Sequence, residues 1–99
     1  MATAKDILLV KFLLEETEAG RVKWEFTATE DEFVTALKGK YKMIVARIGQ
    51  CYLRMEDRDE KLLLSISSEE YGQVEELFYL ARRMAFNVDA AIDDILGRE

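Results

Sequence analysis

Between residues 22 and 66 the chain carries about five short strand-like runs, joined by connections too short for anything but antiparallel neighbours. Val22, Trp24 and Phe26 alternate with Lys23 and Glu25, a period of two. After a polar, turn-like stretch over 27–31, Phe33, Thr35 and Leu37 alternate with Val34 and Ala36. Tyr41 to Ile48 is rich in β-branched and aromatic residues. Cys51 to Met55 and Leu62 to Ile66 complete the set. Gly39-Lys40 and Gly49-Gln50 fit tight hairpins, because glycine reaches positive φ without steric cost. The run Glu56-Asp57-Arg58-Asp59-Glu60 reads as a charged loop. A parallel crossover needs a dozen or more residues. The spacing therefore predicts an antiparallel meander of four to five strands.

Helices flank the meander. Residues 3–19 read as one, with Thr3 as N-cap, Asp6 three positions on, and Gly20 as a left-handed stop. Ser67-Ser68-Glu69-Glu70 has the capping-box form, with Ser67 as the expected N-cap of a second helix. Tyr71, Val74, Leu77, Phe78, Ala81, Met84 and Ala85 follow at helical spacing, and Asn87 suits a left-handed end. Asp89 is expected to cap a short last helix that carries Ala91, Ile92, Ile95 and Leu96 on one face and stops at Gly97. The fold class is α+β: an N-terminal helix, the meander, a C-terminal helix and a short terminal helix. At 99 residues this is one domain, spanning 1–99. The long C-terminal helix is expected to cover one sheet face. The other face carries the first helix, or is left to solvent or a partner.

The composition removes several chemistries. The chain has no histidine, no proline and one cysteine, Cys51. An internal disulfide, a Cys/His zinc site and any Ser-His-Asp or Cys-His catalytic group are thereby excluded. The net charge is −6, and all of it falls in residues 51–99. That balance disfavours general nucleic-acid binding and anionic membrane surfaces, both of which select clustered Lys and Arg. Lys5 followed by Ile7-Leu8-Leu9-Val10 is a poor signal sequence, since Lys11 interrupts it and Glu15, Glu16 and Glu18 follow. A cytoplasmic location is the expectation, and an unpaired cysteine agrees with it.

Few residue groups suggest a site. Lys38, Lys40 and Lys42 surround Tyr41 at a hairpin, a combination able to stack a base and hold a phosphate. Arg82-Arg83 can grip a carboxylate or phosphate. These six are the candidate ligand-binding residues. The charged loop lacks the spacing and central glycine of a calcium loop. Asp93-Asp94 point about 100° apart on a helix and do not converge on one atom. No metal site and no cofactor are expected. Tyr52, Arg54 and Glu56 share one face of the fourth run. Cys51 reads as a small buried hydrophobe.

The first helix is apolar nearly all round, through Ile7, Leu8, Leu9, Val10, Phe12, Leu13 and Leu14. One stripe against one core needs about half of that circumference. Two arrangements use the surplus. The helix is sandwiched within its own domain beneath the last short helix, or it pairs with a second copy across a two-fold axis. We take association as the expectation, with Leu9, Val10, Phe12, Leu13 and Trp24 as the interface of a homodimer.

The helix ending in Glu-Ala-Gly, followed by Val22-Lys23-Trp24-Glu25, the Ile66-Ser67-Ser68 junction, Leu80-Ala81-Arg82-Arg83 and the closing Val88-Asp89-Ala90-Ala91-Ile92-Asp93-Asp94-Ile95-Leu96 together carry a resemblance. The chain is similar to short proteins of bacteria and their mobile elements built as helix, antiparallel meander and helix. The resemblance implies that fold and a bacterial or phage origin, and it carries over no catalytic residue. Genes of this kind often encode inhibitors or accessory subunits of defence and toxin systems. The expected function is thus a non-enzymatic protein-interaction module that self-associates and binds another protein, such as a bacterial defence or toxin protein. The alternative is a small-ligand or nucleotide-binding module using a cationic groove.

Overall fold

The computed structural model describes residues 2–97. Helix α1 spans Ala4–Glu18. Its N-terminus is closed by a reciprocal box: Asp6 N–H donates to Thr3 Oγ1 at 3.2 Å, and Thr3 N–H donates to Asp6 Oδ2 at 2.9 Å. At the other end Gly20 takes φ 76°, which lets Arg21 N–H reach Glu16 O at 2.9 Å. Two otherwise orphaned carbonyls, of Glu16 and Thr17, are satisfied by this turn.

Five strands follow: β1 Glu25–Phe26, β2 Glu32–Leu37, β3 Tyr41–Ile48, β4 Gln50–Glu56 and β5 Leu62–Ser67. They form one sheet in sequential order, and every neighbouring pair is antiparallel. The expected meander is what the chain adopts. The first strand is shorter than the alternation from Val22 suggests, because Val22 and Trp24 are drawn into the core beside α1 instead of joining the ladder. The β2–β3 turn is centred on Lys38 and Gly39, at φ 58° and 64°, one residue earlier than expected. Both central residues at positive φ match the twist of a hairpin.

Helix α2 spans Gln73–Ala85 and α3 spans Val88–Leu96. The Ser67/Glu70 box forms, with Glu70 N–H donating to Ser67 Oγ at 3.3 Å. It closes a separate turn, and α2 begins only at Gln73, with Gly72 as its N-cap. The helix start expected at Ser67 is corrected accordingly. Ser67 remains paired with Tyr52 in the sheet, and that ladder bonding holds it out of the helix. Asn87, at φ 53°, is both the left-handed stop of α2 and the N-cap of α3, so Asp89 lies within the first turn of α3 and is not its cap.

The register divides the sheet. Phe33, Val45, Leu53 and Ile66 lie side by side on one face, all buried. Val10, Leu13 and Leu14 of α1 and Val74, Leu77, Phe78 and Ala81 of α2 join them in one core. Both long helices therefore occupy the same side, with α1 packed on α2. The opposite face carries Glu32, Val34, Ile44, Ala46, Tyr52 and Arg54 and has no helix over it. Burying seventeen apolar residues in a chain this small uses up its one available core.

Candidate functional site

A hollow of about 560 Å³ lies between the β2–β3 hairpin and the β4–β5 loop. Of the hairpin residues, Lys40, Tyr41 and Lys42 line it and Lys38 does not; Arg58 joins them. So do Glu25, Asp57, Asp59 and Glu60. Lys42 Nζ lies 3.6 Å from Glu60 Oε1. Arg58 Nε donates to Gly39 O at 3.1 Å, tying the loop to the hairpin. Asp57 Oδ1 accepts the backbone N–H groups of Asp59 and Lys61, which folds the loop on itself. The hollow is mixed in charge, and its lysines face carboxylates.

Arg82 and Arg83 stand elsewhere. Arg82 stacks on Phe86, 4.8 Å from the ring centroid. Phe86 in turn meets Phe26 edge-on at 4.7 Å and lies 6.0 Å from Phe33. Phe33 sits four residues back along β2 from the hairpin, roughly 13 Å at the rise of a strand. Arg83 Nη2 is 2.6 Å from Asp89 Oδ1 and fastens α3 to α2. The two arginines and the lysine hairpin do not converge on one hollow.

The expected interface residues divide as well. Val10, Leu13 and Trp24 are buried within the chain, so they are core and not contact surface. Trp24 Nε1 donates to Thr17 Oγ1 at 3.0 Å, and both residues are buried. Leu9 packs at the edge of the core. Phe12 remains half exposed, and Leu8, which the sequence reading did not select, is 64% exposed beside it.

The most exposed apolar surface belongs to α3. None of its residues is buried; Ile95 is 82% exposed and Leu96 59%. Val88, Ile92, Ile95 and Leu96 fall at i, i+4, i+7 and i+8, one stripe of a helix. Asp89 and Asp93 border one side of it, Ala91 borders the other, and Asp94 falls nearly opposite. The sequence places Ala91, Ile92, Ile95 and Leu96 on one face and leaves open whether that face docks on its own chain. The structure leaves Ile95 and Leu96 open, whereas Val88 is half-buried.

On the open sheet face Arg54 Nη2 meets Glu32 Oε1 at 3.1 Å across β3, and Thr27 Oγ1 donates to Glu32 Oε2 at 2.7 Å. This pair roofs Ile44 and Ala46, which are buried although no helix covers them. Arg54 Nε is buried with no hydrogen-bond partner among the described residues. Cys51 is buried, and burial pushes its thiol pKa up, with the Glu75 carboxylate adding to the shift. Among the described residues, no group of three or more Cys, Asp or Glu side chains is placed to hold a metal ion. No described helix is long and apolar enough to cross a membrane. Compared with known proteins, the chain matches no family model, no curated protein and no solved structure.

Proposed function

We propose that this chain is a non-enzymatic protein-interaction module that self-associates and works by docking on protein surfaces. The observation that carries the reading is the aliphatic surface at the end of α3, where Ile95 and Leu96 are largely exposed and Ile92 partly so, on a helix with no buried residue. An isolated helix shorter than about 12 residues is marginal in water. Nine residues with so little support from their own chain gain most from a second surface that covers the stripe. The polar groups favour binding over catalysis, since they are held in structural contacts such as Arg83–Asp89 and Thr27–Glu32–Arg54. The small-ligand alternative has less support, because the lysines of the hairpin hollow face four carboxylates.

Hydrogen exchange of the α3 amides as a function of protein concentration tests the reading. The expected result is slowing of exchange as concentration rises, lost in Ile95→Asp. Exchange at coil rates at every concentration, unchanged by that substitution, removes the reading.

A further inference from the structure

Resting on the self-association in that reading, and not on α3, we propose that two copies of this chain pair through the outer face of α1. The two helices run antiparallel about a two-fold axis, with Lys5 of each copy against Glu15 of the other. In helical projection Lys5, Leu8, Phe12 and Glu15 fall within a sector of about 80°. All four are exposed, and the buried Val10, Leu13, Leu14 and Thr17 lie on the opposite side of the helix. The spacing of three, four and three positions is that of a seam along which two helices pack. It also reads the same from either end. Lys5 and Glu15 are each five positions from residue 10, and Leu8 and Phe12 are each two positions from it. An antiparallel copy centred there sets Leu8 level with the other Phe12 and Lys5 level with the other Glu15, each contact formed twice.

The charges decide what covers this ridge. A cation stands at its N-terminal end and a carboxylate at its C-terminal end. An in-register parallel copy therefore brings like charges together, and the antiparallel copy brings opposite ones together. Among the described residues neither Lys5 nor Glu15 has an ion-pair partner. Arg21, whose charge Glu15 feels, is itself fastened to Glu16. Lys11 stands off the seam, about 60° to one side of Leu8, and has Glu15 of its own helix one turn away. The antiparallel arrangement also opposes the two helix dipoles. From Lys5 to Glu15 the seam is about 15 Å long at 1.5 Å per residue. Its centre is filled by Leu8 and Phe12 of both copies, the large apolar residues of α1 that the core leaves bare. A contact of this size belongs at the weak, transient end of protein interfaces.

Charge reversal tests the pairing. Sedimentation velocity of the full chain at low salt, from micromolar to several hundred micromolar, is expected to show a weak dimer that added salt weakens further. Lys5→Glu and Glu15→Lys are each expected to raise its Kd by about tenfold or more, because each sets like charges together at both ends of the seam. Mixed one to one, the two variants regain the dimer, and so does Lys5→Glu/Glu15→Lys in one chain. Both substitutions place a charge where the dipole of α1 favours it, so neither loses the dimer by unfolding. Far-ultraviolet circular dichroism together with Trp24 emission checks that the fold is kept. A wild-type monomer at every concentration overturns the pairing and the self-association with it. A dimer untouched by both single variants and by Phe12→Asp but lost in Ile95→Asp overturns the pairing and assigns the self-association to α3. Loss of the dimer in each single variant without recovery on mixing also overturns the pairing. Recovery on mixing, with α3 amides exchanging at coil rates at every concentration, upholds the pairing and removes the reading of α3.

Discussion

Trp24 Nε1 donates to Thr17 Oγ1 at 3.0 Å inside the core, joining the segment that leads into the sheet to the inner face of α1. The hydroxyl is what allows a polar residue to stand among Val10, Leu13 and Leu14 on that face. A buried indole N–H without a partner bears the full cost of its desolvation.

Thr17→Val keeps the shape and removes the acceptor. The expected loss of stability is about 1–3 kcal/mol, and each kcal/mol corresponds to a fall of roughly 4–8 °C in Tm for a domain of this size. Denaturant unfolding followed by the single tryptophan measures it. A variant as stable as the parent would show that water or another group satisfies the indole.

The Glu32–Arg54 pair on the open sheet face calls for a different comparison. Glu32→Leu leaves Arg54 partly buried without its carboxylate, at a cost of about 1–3 kcal/mol. Glu32→Leu combined with Arg54→Met removes both charges and is expected to recover most of that loss. A double variant less stable than Glu32→Leu alone contradicts the account.

Glu16 accepts a forked interaction from Arg21, and the Arg21 hydrogen bonds hold its carboxyl below the ordinary glutamate value. With the folded value depressed, the stabilisation is present above the unfolded pKa and is lost as pH falls through the folded one. A carboxyl titration by NMR is expected to place Glu16 below the other glutamates, and Arg21→Gln to bring it back among them. No movement in Arg21→Gln would assign the shift elsewhere.

Cys51 is buried, and its thiol is pushed up by burial and then by Glu75. Disulfide reagents are expected to label it slowly in the native protein and at once in denaturant, since the thiolate is the reacting species. Because the folded value is raised, stability falls as pH rises above the unfolded thiol pKa. Native labelling as fast as denatured labelling would place the thiol at the surface.

What could be read from the chain alone follows from how local the signals are. Thr3 with Asp6, Gly20, Asn87 and Gly97 announce helix ends, because capping is settled within four or five residues. The short strand-like runs and the short turns between them leave antiparallel pairing as the only choice. The same locality misled at Ser67: the box was present, but the strand partner Tyr52 kept Ser67 in the sheet, a long-range bond that no window of sequence contains.

The sequence by itself thus determined the element order, the α+β class and the surplus of apolar side chains on α1. Only the tertiary structure decided which of them are spare. Val10, Leu13 and Trp24 are used in the core because α1 and α2 lie on the same face of the sheet, whereas Leu8, Phe12, Ile95 and Leu96 stay exposed. A helix declares from its own sequence how much apolar surface it has, but which of that surface is covered depends on neighbours distant in the chain.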